Sequence, residues 1–544
     1  MYHCCSGYGS ITAHFMRNPP VIRGVRRYYM RRESEWREVS FFLKERLILR
    51  HSFLMTKGEL LKLVYDVAII GAGIIGCGVA RELSHFDCKT VLIDRENDVA
   101  MGTTRANSAI IHAGYDPEPG TLMAKYNVPG NKMAEEICRE LDVPFRRCGS
   151  FVLAFDENDM KTVRHLYENG TANGVPDMKI LSGDEVRAME PNVSPDCVGA
   201  LFAPSAGIVN PWEMALAMAE QAVENGVDLE LCYDVTGIAK KDGNFVISGK
   251  GKENIEAKFV VNAAGVYSDD VAHMVGDNSF SIDASRGQYY LLDKSQGELF
   301  DHVMFQCPGP LGKGILVAPT VHGNLIVGPD ANPGSGKEDV KTDREGLNHV
   351  IAASKRTTGA INFRENIRNF AGLRSQPSTG DFIVGFSEAD DHFMNVAGIK
   401  SPGLSAAPAI ALDVAKMLIK AGVPNRIRAD YRSPRKHIRF KELSDEQKAA
   451  VIKTCPAYGR VICRCETITE GEIVDALHGV IVPRTLDGIK RRCNAGMGRC
   501  QGGFCGPKVL EIIARELDMD PVDVLLDKEG SYILTGKTTK GEDR

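Results

Sequence analysis

Apolar residues fall into runs whose period changes along the chain, and those changes mark out its parts. Residues 67–70 form a short, uncharged, β-branched run that reads as a strand buried on both faces, and it feeds straight into Gly71, Gly73 and Gly76. Ala80 and Leu83 then recur at helical spacing, and a second apolar strand over 90–93 ends at Asp94. The pattern predicts a βαβ unit. Residues 132–200 alternate helices and strands around turns such as "NGTANGVP", with a strand over 149–154. The stretch "GIVNPWEMALAMAEQAVENGVDLEL" predicts a long amphipathic helix, opened by Pro211 and closed at Asn225-Gly226. A strand near 259–262 leads into "NAAGVYSDD". From Ser285 the segments "RGQYYLLD", "KGILVAPT" and "GNLIVGPD" alternate apolar and polar residues between Gly and Pro turns, the period of an antiparallel sheet. Small residues in "NVAGIKSPGLSAAPAIALDVAKMLI" then precede an apolar helix starting near Gly403.

The first βαβ unit carries chemistry. Gly71 permits a tight turn, Gly73 lets a pyrophosphate approach the backbone, and Gly76 lets the helix pack close to the strand. The free N–H groups at the helix N-terminus hold phosphates, and Asp94 stands where a carboxylate accepts the hydroxyls of an adenosine ribose and repels a 2′-phosphate. Residues 102–131 are rich in small and hydroxyl side chains without clean periodicity, the composition of a loop around a ligand, and they carry His112. By composition alone His112 reads as a hydrogen-bonded structural histidine. The helix beginning near Gly403 reads equally as an ordinary buried helix or as one whose N-terminus faces a ligand that gains negative charge.

Charge and length narrow the classes. The chain has 544 residues with 66 basic against 71 acidic side chains, so nothing points to a nucleic-acid partner. The longest uncharged run around the glycines, 67–80, is too short to span a bilayer, leaving at most peripheral membrane association. Fifteen scattered cysteines make no disulfide scaffold, and the expected compartment is a reducing cytoplasm. Residues 1–54 carry ten Lys or Arg and four Glu. Targeting presequences avoid such acids, so residues 1–58 are expected to be a disordered extension, or upstream sequence with Met55 as the true start.

After residue 430 the composition shifts. A charged connector over 431–455 leads to Cys463, Cys465, Cys500 and Cys505, spaced C-x-C and C-x4-C, with Gly496, Gly498, Gly502, Gly503 and Gly506 around the second pair. Glycines let backbone N–H groups approach bridging sulfides, whereas zinc pairs are commonly C-x2-C, so the spacing favours iron-sulfur over zinc. Thr469 and Glu472 fit a capping box, Pro507 suits the first turn of the last helix, and Cys493 is a spare thiol.

The glycine fingerprint, "NSAIIHAG", "NAAGVYSD", "AGLR" and "GIKSPGLSAAPAIA", in that order, resemble the D-amino-acid-oxidase-like FAD-dependent oxidoreductases over residues 62 to about 425. Within them the chain looks most like the flavin-dependent glycerol-3-phosphate dehydrogenases and oxidases and the related L-2-hydroxyglutarate dehydrogenases. The C-terminal cysteines resemble the bacterioferritin-associated-ferredoxin-like [2Fe-2S] domain. The resemblance implies an α/β fold: a Rossmann-like FAD-binding domain over 59–430, mainly 62–150, 200–270 and 370–425, with an inserted antiparallel-sheet substrate domain, mainly 151–199 and 271–369. A small helical [2Fe-2S] domain over 456–525 and a tail over 526–544 follow. It further implies FAD contacts from Thr103, Thr104, Asn107, Ser108, Ala264, Gly265, Gly403, Leu404 and Ser405, besides the glycines and Asp94. His112 becomes the candidate base, and Arg374 the clamp on a small anionic substrate. Lys313, in "LGKGILVAP", is a second anion contact. Ala109 departs from the family, whose members usually place Gly after "NS". The activity implied is oxidation of glycerol 3-phosphate to dihydroxyacetone phosphate, with electrons leaving through the cluster to an acceptor protein, a companion redox subunit or a quinone. L-2-hydroxyglutarate or another 2-hydroxy acid is the alternative substrate, and a redox-sensing module without enzyme activity is the alternative class.

Overall fold

The computed structural model describes residues 63–309, 314–432 and 436–536. Lys313, the extension over 1–58 and the last part of the expected tail lie outside the described residues.

Strand β1 (Val64–Ile70), helix α1 (Ile74–Ser84) and strand β2 (Thr90–Ile93) form the predicted βαβ unit. β1 and β2 are parallel, in register from Val67 opposite Thr90 to Ile70 opposite Ile93. The run is apolar because both of its faces are covered. Val67 and Ile69 join one core with the helices, whereas Ala68 and Ile70 join another with Phe245, Val260 and Phe393. Burying each large aliphatic side chain contributes roughly 1.5–3 kcal/mol. Three further helices share the first core: α2 (Leu122–Glu140), α3 (Pro211–Glu224) and α4 (Gly403–Lys420). α3 has its expected ends, with Pro211 in the first turn under an Asn210 cap and Gly226 at φ +93° beyond Asn225. Strand β3 (Ile255–Asn262) lies next to β1 in this eight-stranded sheet and leads back to it, the Ala263 N–H donating to the Ile70 carbonyl at 2.8 Å.

The second sheet has nine strands and is built on a long antiparallel pair, β4 (Ile282–Leu292) and β5 (Asn366–Pro377). Their register sets Ser285 opposite Arg374 and Gly287 opposite Gly372. One pair departs from the antiparallel expectation: Val303–Gln306 runs parallel to Ser150–Ala154. The expected domain boundaries also move. Gly199–Ala203 and β5 belong to this second sheet, although the sequence placed residues from 200 and from 370 in the nucleotide part. The cause is packing, since Leu201 and Ala203 share a core with Val152, Tyr289 and Phe305.

The connector is packed onto the catalytic part. Arg439 pairs with Asp142 and Glu213, and the Phe440 N–H donates to Glu472 at 3.1 Å. A hairpin (Val461–Cys463 with Ile468–Thr469) opens the small domain, followed by helices Glu470–Leu477, α5 (Leu486–Cys493) and α6 (Gly506–Leu517). Thr469 and Glu472 form the predicted capping box, and Pro507 sits in the first turn of α6. The expected tail starts later than 526: Asp527 pairs with Arg105 at 2.5 Å and with Arg491 at 2.9 Å.

Candidate active site and cluster site

A cavity of about 880 Å³ runs between the two sheets' loops. Its walls include Gly71, Gly73, Asp94, Thr103, Thr104, Asn107, Ser108, Ala264, Gly265, Gly403 and Leu404, which are most of the residues read as cofactor contacts, together with His112 and Arg374. The glycines do different work. At Gly71, with φ +107°, a Cβ would stand 2.3 Å from the Ala263 carbonyl oxygen, and at Gly76 it would stand 1.9 Å from that of Gly71. Gly76 therefore acts from beneath the cavity, by letting α1 approach β1. Both α1 and α4 open on the cavity at Gly73 and Pro402, neither of which caps its helix with a side chain. The Ile74 N–H donates to the Thr104 hydroxyl at 3.0 Å and the Gly403 N–H to the Lys400 carbonyl at 2.6 Å, and the other first-turn N–H groups offer donors and partial positive charge to a phosphate and to an electron-rich ring. Asp94 accepts from the Ala72 and Glu96 N–H groups at 2.6 and 2.9 Å, and each oxygen keeps a lone pair for a ribose hydroxyl. Burial pushes its carboxyl up to about 6, against the opposing pull of those two N–H bonds. The donor set fits FAD.

The loop after Thr103 is braced on itself and on β5. The Thr103 hydroxyl donates to the Leu373 carbonyl at 2.7 Å, and the Asn107 amide donates to the carbonyls of Thr103 and Thr104 at 3.1 and 2.8 Å. Ala109 has φ +60°, which accounts for the family's glycine at this position. Ala109→Gly is expected to stabilise the protein by about 1 kcal/mol, read as a raised midpoint in thermal denaturation. An unchanged or lowered midpoint would show that the loop's hydrogen bonds already absorb the strain.

His112 is held by its backbone and its ring. Its N–H donates to the Ser405 hydroxyl at 2.6 Å, its carbonyl accepts from Asn127 and Asn131 at 3.1 and 3.0 Å, and its ring stacks on Phe305 with centroids 5.5 Å apart. The Nε2 atom lies 3.3 Å from the Ser401 hydroxyl. Ser405 stands differently from the other expected cofactor contacts. It is fully buried behind the cavity wall, with its hydroxyl engaged by the His112 backbone, and is not a wall residue itself. Arg374 donates to the Asp330 carbonyl at 3.2 Å, in space left by Gly287, where a Cβ would stand 2.6 Å from the guanidinium. Across the register, a Cβ at Gly372 would stand 1.8 Å from the Ala106 carbonyl oxygen. The facing glycines therefore admit the arginine on one strand and the cofactor loop on the other. Sequence reading missed Gly287, Tyr289, Phe305 and Ser401. The signal available was the glycine within the alternating "RGQYY" strand, which marks close approach.

The four predicted cysteines come together. Cys465 and Cys500 have their sulfurs 3.7 Å apart, and the Gly496 N–H donates to the Cys463 sulfur at 3.5 Å. The neighbouring Cys505 thiol, with that N–H, holds the Cys463 thiol down at about 6. At Gly498 a Cβ would stand 2.3 Å from the Cys465 Cβ, so glycine is required for the loop to close over the ligands. Cys493 stays apart, donating to the Ile489 carbonyl at 3.4 Å, and burial pushes its thiol far up. Four convergent thiols with backbone N–H donors fit a [2Fe-2S] cluster. The site is tied to the catalytic part. Lys294 pairs with Glu466 at 2.8 Å, Arg499 pairs with Asp293 at 3.3 Å and with Glu365, and Arg368 of β5 donates to Gln501 at 3.4 Å.

A cavity with two open helix ends and a ribose acid, joined to a four-cysteine domain, defines an iron-sulfur flavoprotein. The chain belongs to the FAD dependent oxidoreductase family, whose model matches residues 66–417, and a BFD-like [2Fe-2S] binding domain matches residues 461–515. It is 51% identical to a glycerol 3-phosphate dehydrogenase from Caloramator mitchellensis, over 87% of this chain and 99% of that protein. It resembles dithionite-reduced L-α-glycerophosphate oxidase from Mycoplasma pneumoniae with FAD bound, with a TM-score of 0.66 and 31% identity, covering 69% of this chain and 99% of that one. An L-2-hydroxyglutarate dehydrogenase of Escherichia coli is 30% identical over 49% of this chain and 64% of that protein. FAD and a [2Fe-2S] cluster are the cofactors.

Proposed function

We propose that this enzyme oxidises sn-glycerol 3-phosphate to dihydroxyacetone phosphate and passes the electrons through its cluster to a separate acceptor. The observation that carries the reading is the placement of His112 and Arg374 on one cavity, in a chain 51% identical to a glycerol 3-phosphate dehydrogenase along nearly all of that relative's length. Bound FAD supplies a two-electron acceptor for the hydride of the carbinol carbon. Arg374 presents a planar fork of donors that suits the phosphate dianion, and the Asp330 carbonyl orients that fork. His112 takes the hydroxyl proton at a ring nitrogen, and its stacking on Phe305 fixes the plane in which that nitrogen points. The N-terminus of α4 offsets negative charge arriving in the cavity. Gly71, Gly73 and Asp94, with the loop from Thr103 to Ser108, hold the cofactor, and Lys313 remains a second candidate anion contact.

Among the described residues no helix is long and apolar enough to cross a membrane. A reducing cytoplasm is the compartment we propose, on the scattered spacing of the cysteines along the chain.

The test is an anaerobic substrate panel followed at the flavin absorbance. Glycerol 3-phosphate is expected to bleach the flavin, whereas L-2-hydroxyglutarate and glycerol leave it oxidised. Bleaching by the hydroxy acid alone overturns the substrate. Cys500→Ser should keep the bleaching and abolish turnover with the acceptor; persistent turnover without iron would make the cluster structural.

A further inference from the structure

The cluster loop has two sides. Toward the catalytic part, Arg499 and Gln501 are engaged by Asp293 and Arg368. On the other side the loop is bare. Phe504, between Cys500 and Cys505, is 85% exposed, more than any other large apolar residue described. The ligands divide the same way: Cys463 and Cys505 are 1% and 3% exposed, whereas Cys465 reaches the surface.

Charge follows this division. The two ligand segments, Arg464-Cys465 and residues 499–508, contain Arg464, Arg499 and Lys508 and no acid. Arg464 and Lys508 are exposed, and among the described residues neither makes an ion pair. The acids nearby are already used: Glu466 is buried against Lys294, and Glu470 is held by Arg460 and Arg515. The first exposed acid along α6, Glu511, stands a turn beyond Lys508.

We propose that this face is the docking surface for an acidic, soluble one-electron carrier protein, with Phe504 as its apolar anchor and Arg464 and Lys508 as its steering charges. The proposal rests on the reading that electrons leave through the cluster. The step moves one electron from the reduced cluster to the oxidised carrier, with no proton or group transferred. One exposed aromatic side chain and unpaired cations on the same ligand-bearing segments match the small, short-lived interfaces of electron-transfer partners, in which charge complementarity sets the encounter rate. It does not match a membrane surface, where even one myristoyl chain binds only marginally.

The test uses the full-length holoenzyme, loaded with electrons by dithionite so that the substrate plays no part. The probes are an acidic blue-copper protein and a basic c-type haem protein, and two quantities are read: affinity by titration of the oxidised partners, and the bimolecular rate of electron transfer. The wild type should bind and reduce the acidic carrier in a strongly salt-dependent way. Phe504→Ala and Lys508→Glu should each lower that rate by about tenfold, and Lys508→Glu with Arg464→Glu should also raise the rate toward the basic haem protein, the sign expected of steering charges. Cluster absorbance and substrate bleaching of the flavin should not change. Because gain toward one carrier accompanies loss toward the other, misfolding cannot mimic the result. Unchanged affinity and rate in these variants overturns the proposal. So does holoenzyme that sediments with phosphatidylserine-containing vesicles and loses this with Phe504→Ala. If glycerol 3-phosphate fails to bleach the flavin while the carrier pattern holds, the substrate assignment fails and the docking surface stands.

Discussion

His112→Ala is expected to slow substrate reduction of the flavin by roughly 10² to 10⁴, the usual worth of a positioned general base. The backbone bonds that fix this residue do not depend on its ring: the N–H still donates to Ser405, and the carbonyl still accepts from Asn127 and Asn131. The cavity wall therefore keeps its course and FAD should stay bound. Truncation removes the ring's contact with Phe305 and Ser401 and leaves space for water, a weaker and less oriented base. Stopped-flow mixing under anaerobic conditions measures the rate. A variant that reduces at the wild-type rate would move proton removal to another group on the cavity. A variant purified without flavin would show that the ring supports the fold.

The cofactor cradle was legible because it is local. The β1 run, the glycines and Asp94 lie within one short stretch, and each residue's task follows from a strand that must turn sharply into a helix. The cluster was legible for the same reason, since cysteine spacing and loop glycines are read directly. Ala109, a departure visible in the sequence, has its physical cause in a φ of +60°, which no sequence prints. What stayed hidden depends on register and on distant pairs. Nothing in the chain says that Gly287 faces Gly372, so the room for Arg374 could not be read. Arg105 and Asp527 are 422 residues apart, and each looks like an ordinary solvated charge. For the same reason the pairing of Asp527 with Arg105, and of Arg439 in the connector with Asp142 and Glu213, could not be read.

The strongest of these distant pairs carries the second large effect. Asp98 is 4% exposed and accepts four hydrogen bonds of 2.9–3.2 Å from Arg491 and Arg492, which lie on α5 of the cluster domain. Burial pushes this carboxyl up, but the guanidinium groups of Arg492 and Arg491 outweigh it and hold it at about 2. Its folded value is depressed below the ordinary aspartate value of about 3.9, so its stabilisation is complete above that pH and is lost as pH falls through about 2. Asp98→Asn keeps the shape but leaves the buried Arg492 without a carboxylate, while Arg491 retains Asp527, and removing one partner of such a bridge costs roughly 3–5 kcal/mol. The cost falls on the docking of the cluster domain, so limited proteolysis should open the 431–455 connector, and thermal unfolding should split into two transitions. Adding Arg492→Met should recover part of the loss, because it removes an uncompensated charge; simple loss of packing would be made worse by it. An Asp98→Asn protein that unfolds in one transition at the wild-type temperature would mean that Lys294–Glu466 and Arg499 hold the domain without it.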